Sequence, residues 1–173
     1  TACNVNPSYP ETEFSIGESL PPESRGNWMR FIEGVRLEKG HWSNYLKAAA
    51  LKIQDHFPDR NIRGFDLCVY GDIPPGAGLS SSSSLVVGTM MIANRVNNLG
   101  LSNEEMVPLC AEGEWFVGTR GGAGDQGAML LCKRGLVTRL RFFPMEYRYA
   151  PLPKGYSVVV CHSRIEAQKS AGA

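Results

Sequence analysis

The chain has 173 residues, of which 43% are hydrophobic and 20% charged, and its formal net charge is +1. That balance suits one globular domain with its own core, or a large part of a bigger one. It excludes the strongly basic surface of a nucleic-acid-binding domain, and no apolar run approaches the length of a membrane span, so neither partner is expected.

The first forty residues are rich in Pro, Ser and Glu and predict loops, with one short strand at their centre. From Trp42 the apolar residues Trp42, Tyr45, Leu46, Ala49, Ile53 and Phe57 recur at steps of three and four, which predicts a helix that Pro58 ends. Residues 64 to 70, GFDLCVY, alternate as a half-buried strand does. After a loop, SLVVGTMMIANRVNNLG predicts a helix buried in the core and stopped at Gly100. Ser102 and Glu105 form a capping box that opens another helix through about Trp115, with a kink or restart at Pro108. Residues 118 to 127, GTRGGAGDQG, form a second glycine-rich loop that carries Arg120 as an available cation. AMLLCKRGLVTRL predicts two strands turning at Lys133, Arg134 and Gly135, and YSVVVCH, residues 156 to 162, another strand.

The five cysteines, Cys3, Cys68, Cys110, Cys132 and Cys161, are widely spaced with no C-x-x-C, which argues against a disulfide framework or a zinc site. Cys68, Cys132 and Cys161 lie in apolar runs and are expected to be small buried hydrophobes. A cytoplasmic location follows as the expectation, and the first ten residues carry no basic region and apolar core of a secretory leader. His41, His56 and His162 have no metal-ligand spacing and are expected to be structural or solvent-facing.

The stretch IPPGAGLSSSSSL, residues 73 to 85, has a linker's composition but sits directly between a predicted strand and a predicted buried helix. A strand, a glycine turn and a helix opening with serines make an anion site: the first helical amides lack internal partners, and the helix dipole adds positive potential. Gly76 and Gly78 would let the backbone approach a phosphate, while the serine hydroxyls could bind oxygens or Mg²⁺. An ordinary serine-capped turn is the other reading of the same residues. The lysine of a Walker A loop is absent.

PPGAGLSSSSSL resembles the P-x-x-x-G-L-S-S-S-A loop of the GHMP kinases, the superfamily of galactokinase, homoserine kinase, mevalonate kinase and phosphomevalonate kinase. FVGTRGGAGDQ, residues 116 to 126, looks like the next motif, which ends G-x-x-D-Q in the galactokinase branch, and WSNYLKAA, residues 42 to 49, is similar to that branch's W-x-N-Y helix. The three occur in family order, and the resemblance covers roughly residues 42 to 163. The resemblance implies an α+β lobe of two-layer, ribosomal-protein-like type, with a mixed sheet and helices on one face. It implies ATP- and Mg²⁺-dependent phosphorylation of a sugar hydroxyl. Pro75, Gly76, Ala77, Gly78, Leu79, Ser80, Ser81 and Ser82 would wrap the ATP phosphates, with Ser82 nearest Mg²⁺. Trp42 would lie against the adenine, with Trp28 a rival for that place. The family's metal-binding glutamate falls on Gly113, so Glu112 or Glu114 would serve, Glu114 ahead of Glu112. Asp125 would face the attacking sugar hydroxyl, as base or as orienting anion.

The family's upstream sugar-contacting signature and its C-terminal glycine-rich loop are not found in residues 1–173. The expectation is an N-terminal lobe incomplete at both ends, lacking its C-terminal lobe, inactive alone, and partnered with the rest of its own polypeptide. Gly124 stands where galactokinases carry a bulkier residue, which leaves the sugar open among hexoses, fucose, heptoses and uronic acids. Two alternatives from other classes stand beside this: a catalytically inactive sugar- and ATP-binding sensor, and a binding module that shares only the lobe's fold.

Overall fold

The computed structural model describes residues 1–38, 40–118, 120–161 and 165. The chain opens with strand β1 (Ala2–Asn4), followed by helix α1 (Ile16–Ser19), a 3₁₀ turn (Pro22–Ser24) and helix α2 (Trp28–Gly34). The short strand expected near the centre of the first forty residues is replaced by a single bridge between Ala2 and Thr12.

Helix α3 (Ser43–His56) fills the span its periodicity predicted. It is buried on nearly every side, because Ala48, Ala49 and Ala50 present too little bulk to hold neighbours away. Strand β2 (Leu67–Val69) pairs in parallel with β1, Cys3 opposite Cys68. The expected strand is shortened to three residues, but Phe65, Leu67 and Val69 are partly covered while Asp66, Cys68 and Tyr70 are exposed. That alternation corrects the burial expected of Cys68.

Helix α4 (Ser81–Val96) takes in the serines from Ser81 onward and ends four residues before Gly100, with Asn97 as its C-cap. The Asn97 side chain bonds Ala93 O, and Asn98 enters the left-handed region at φ 47°, which turns the chain early. Helix α5 (Asn103–Glu114) opens with the capping box: Ser102 Oγ accepts from Glu105 N, and Glu105 accepts from Ser102 N. It runs without interruption through Pro108, an exposed position, so the expected break does not occur. A 3₁₀ turn (Trp115–Val117) follows.

Helix α6 (Gly124–Leu131) is a larger departure. The second glycine-rich loop ends at Ala123, and AMLL is helical rather than a strand. The reason lies in spacing: Gln126, Gly127, Leu130 and Leu131 share one helical face and are the buried residues of the segment. Strands β3 (Leu136–Phe142) and β4 (Met145–Pro151) form an antiparallel hairpin that packs on α6 at Gly127. A Cβ on Gly127 would meet Leu140 Cδ1 and Phe142 Cε1 at 3.2 Å. Cys132 caps α6 and is exposed. Residues 156 to 161 form no strand and Cys161 is exposed, which corrects both expectations; His162 lies outside the described residues.

The core is helical. Leu51, Ile53, Val86, Met90, Val107, Cys110, Leu130 and Leu131 bring α3, α4, α5 and α6 together. A smaller cluster of Ala2, Trp42 and Leu46 joins β1 to the start of α3. The fold is thus α+β in character. Among the described residues the strands form two separate two-stranded sheets rather than one mixed sheet, because β3 takes β4 as its partner and the β1–β2 pair is only three residues long. No helix among the described residues is long and apolar enough to cross a membrane.

Candidate functional site

A cleft of ≈ 1430 Å³ opens where the start of α3, the β2–α4 loop, the C-terminal end of α5 and the start of α6 meet. Of the residues proposed from sequence, Trp42, Pro75, Gly76, Gly78, Leu79, Ser80, Ser81, Ser82, Glu114 and Asp125 line it. Ala77 and Glu112 do not.

The serine turn has the backbone an anion site requires. Gly76 (φ 72°) and Gly78 (φ 73°) are left-handed. Ser80 is left-handed as well (φ 58°, ψ 36°), an uncommon conformation for a residue with a side chain, of the kind that concentrates at ligand sites. Ser80 is the N-cap of α4 but makes no side-chain capping bond. The first helical bond runs from Ser84 N to Ser80 O (3.0 Å), so the amides of Ser81, Ser82 and Ser83 precede the helical ladder at the positive end of a sixteen-residue helix.

Glu114 closes the other side. It is the last residue of α5, 9% exposed. Ser83 Oγ donates to it at 2.8 Å (Oε2) and 3.1 Å (Oε1), and Gln126 Nε2 donates to Oε2 at 2.6 Å. Among the described residues no lysine, arginine or histidine forms an ion pair with it. Its neighbours register the carboxylate. Burial, and then Glu114, push the Tyr45 phenol above its ordinary value, against a hydrogen bond with Ser82 that lowers it. Burial and Glu114 push the Cys110 thiol up to about 12.

Glu112 occupies a different place. Its Oε2 lies 2.9 Å from Lys52 Nζ, which also bonds Asp55 Oδ2 at 3.2 Å inside the α3–α5 contact. The helix between the two glutamates comes unusually close to α3: a Cβ on Gly113 would meet Ala48 O at 3.3 Å and Lys52 Cβ at 3.4 Å.

Asp125 sits in the first turn of α6, exposed to the cleft, where a carboxylate also suits the helix dipole. Trp115 Nε1 donates to Gly121 O (3.3 Å), tying the glycine loop to the end of α5. Arg120 lies in the cleft wall and reaches Glu33 at 3.9 Å. Trp42 is 6% exposed: its Nε1 donates to Pro10 O (2.9 Å) and Tyr9 packs edge-on against it, so only part of the indole reaches the cleft. Trp28 belongs to the main core, stacked with Phe116 and donating to Glu112 O. His41 bonds Ser43 and His56 packs on Phe57.

Sequence reasoning missed Ser83, Gln126 and Tyr45 as members of the site. Tyr45 was visible as the neighbour of Asn44 in the W-x-N-Y segment, and Gln126 as the neighbour of Asp125. Nothing in five consecutive serines distinguishes Ser83.

Among the described residues no three His, Cys, Asp or Glu side chains gather as a metal site. One buried carboxylate beside serine hydroxyls is a hard-oxygen donor set that fits Mg²⁺, provided a ligand's phosphate oxygens and water complete the shell. The arrangement can therefore hold a polyphosphate on backbone amides, place a divalent cation beside it, and present a second carboxylate, Asp125, to a third group.

Residues 44–133 match the model of the GHMP kinases N terminal domain, about half of the chain. The chain is 31% identical over 137 residues to the galactokinase of Dictyostelium discoideum, covering 78% of this chain and 27% of that protein. It is 35% identical over 133 residues to the galactokinase of Chloroflexus aurantiacus (76% and 33%) and 36% over 131 residues to that of Clostridium tetani (74% and 33%). It thus spans about a third or less of the length of these curated relatives. The match across residues 44–133, together with these identities over most of the chain, places the chain in the GHMP kinase family through its N-terminal domain.

Proposed function

We propose that the chain is the N-terminal lobe of an ATP- and Mg²⁺-dependent sugar kinase, with residues 1–173 forming part of a longer cytoplasmic polypeptide whose remainder supplies the second lobe. The observation that carries this reading is Glu114: a buried carboxylate with no cationic side chain paired to it among the described residues, bonded to a serine of the anion turn and to the residue beside Asp125. Galactokinase is the activity named for the relatives above, which supports a sugar as the acceptor.

In this reading the amides of Ser81, Ser82 and Ser83, with the glycine turn from Gly76, hold the β- and γ-phosphates. Glu114 and a hydroxyl from Ser82 or Ser83 would hold Mg²⁺, which supplies neutralisation of phosphate charge. The adenine rests on the exposed part of Trp42 and on the apolar side chains of Ile73 and Leu79, which line the same cleft. Asp125 accepts a hydrogen bond from the attacking sugar hydroxyl, aligns it with the γ-phosphorus and takes its proton as the new O–P bond forms and the bond from the γ-phosphorus to the β,γ-bridging oxygen breaks, with ADP as the leaving group.

The test uses the full polypeptide, ATP and a panel of hexoses, deoxyhexoses, heptoses and uronic acids. Asp125→Asn keeps the shape but cannot take a proton. It is expected to lower kcat by roughly 10²- to 10⁴-fold with little change in nucleotide affinity. A fully active Asp125→Asn enzyme removes Asp125 from the mechanism. Failure of the wild type to phosphorylate any sugar overturns the kinase reading, and sugar and ATP binding without turnover would favour a sensor.

A further inference from the structure

We infer that Gln126 is a positioning residue of the cation site, steering the Glu114 carboxylate with its side-chain N–H while its carbonyl oxygen accepts a hydrogen bond from a water on the bound cation. The inference rests on the kinase reading above. Gln126 is 3% exposed, yet it lines the cleft. Its amide orientation is fixed by chemistry, because only the NH₂ group can face a carboxylate, and Nε2 lies 2.6 Å from Glu114 Oε2. Oε1 is then the free end. It is buried and has no hydrogen-bond donor among the described residues.

A buried carbonyl oxygen without a donor is unfavourable, so a fold that keeps one in a ligand cleft has it waiting for a donor. Mg²⁺ retains several water molecules when it binds through one carboxylate and phosphates, and the protons of those waters are strong donors. Partners that orient a metal ligand from outside the coordination sphere typically contribute ten- to a hundredfold in metal affinity. Gln126 also follows Asp125 in the same turn of α6, so the side chain that steers the cation's carboxylate shares a rigid element with the carboxylate facing the acceptor. A sugar hydroxyl is the other donor that could reach Oε1, and the experiment separates the two.

Binding of Mn²⁺, followed by loss of the free-ion electron paramagnetic resonance signal, is measured on the full polypeptide with a non-hydrolysable ATP analogue. The variants are Gln126→Met, Glu114→Gln and the double mutant. Gln126→Met is expected to weaken Mn²⁺ binding about ten- to a hundredfold, leaving metal-free nucleotide affinity within about twofold. In the Glu114→Gln background it is expected to add little, because Gln126 acts through Glu114. Unchanged Mn²⁺ affinity in Gln126→Met, fully additive losses, or a loss confined to sugar affinity each overturns the inference while leaving the kinase reading intact. A wild type that binds neither cation nor nucleotide overturns both. Should Gln126→Met fail to fold, the wild type still decides. Bound Mn²⁺ is expected to broaden the NMR signals of the Gln126 side-chain amide far more than those of Gln54, whose amide is bonded to Phe57 O and Arg60 O at the far end of α3. Equal broadening of the two overturns it.

Discussion

Between Glu112 and Glu114 a helix turns by about 200°. That rotation sends one carboxylate to Lys52 between α3 and α5 and the other into the cleft. Glu112→Gln is therefore expected to leave Mg²⁺-ATP affinity within about twofold, whereas Glu114→Gln should lower it at least about tenfold, as isothermal titration calorimetry of the full polypeptide would measure. A larger effect from Glu112→Gln than from Glu114→Gln would reverse the assignment. The motif spacing fell on Gly113, and the structure puts its neighbour Glu114 in the cleft and Glu112 against Lys52. Helix phase then separates its two neighbours. The choice of Ser83 as the partner of Glu114 was not legible. It depends on how α4 is rotated against α5, which is settled by packing of Val86, Met90, Val107 and Cys110 rather than by any local pattern.

Elements were most legible where caps and period agreed. Helix α5 begins where Ser102 and Glu105 predicted, and both halves of the capping box are made. Ser102→Ala should lower stability by about 1 kcal/mol near neutral pH in urea unfolding. The bonds from the Ser102 backbone, and then from its side chain, lower Glu105 below its ordinary value of 4.5. A depressed carboxylate stabilises the fold above its unfolded value and loses that contribution as pH falls through the folded one. The deficit of Ser102→Ala should accordingly narrow below about pH 4.5, and a pH-independent deficit would contradict the box. Helix α6 was misread because AMLLC is short, apolar and followed by a glycine turn, a combination that fits strand or helix equally until its neighbours are known. Two flanking contacts decide it: the hairpin closing on Gly127, and Asn103 donating to Leu130 O.

For the molecule as a whole, the resemblance carried the family while composition carried only the class. The sheet expectation failed because β3 closes on an unanticipated hairpin partner, β4, and residues 156 to 161 find no partner strand among the described residues. The helical core offers its own probe in Cys110, which is fully buried while Cys68, Cys132 and Cys161 are exposed. At pH 8 the exposed thiols should alkylate in the native state and Cys110 only on unfolding, as peptide mass spectrometry would read. Ready native-state labelling of Cys110 would contradict the packing of α5. The sign of its pH effect follows from linkage. The folded thiol is raised to about 12 from an ordinary 9.0, so its contribution is complete below 9 and fades as pH climbs toward 12.

Helix α4 is at once floor of the cleft, through Ser81 to Ser84, and central strut of the core, through Val86, Met90 and Ala93. A nucleotide seated on its first turn would therefore be thermodynamically linked to the opening of the whole helix bundle. At a hundred times its dissociation constant such a ligand adds about 2.7 kcal/mol to every opening that releases it. Amide hydrogen exchange should consequently slow along the full length of α4 and into α3 and α5. Protection that stopped at Ser84 would mean that the serine turn moves independently of the helix it begins.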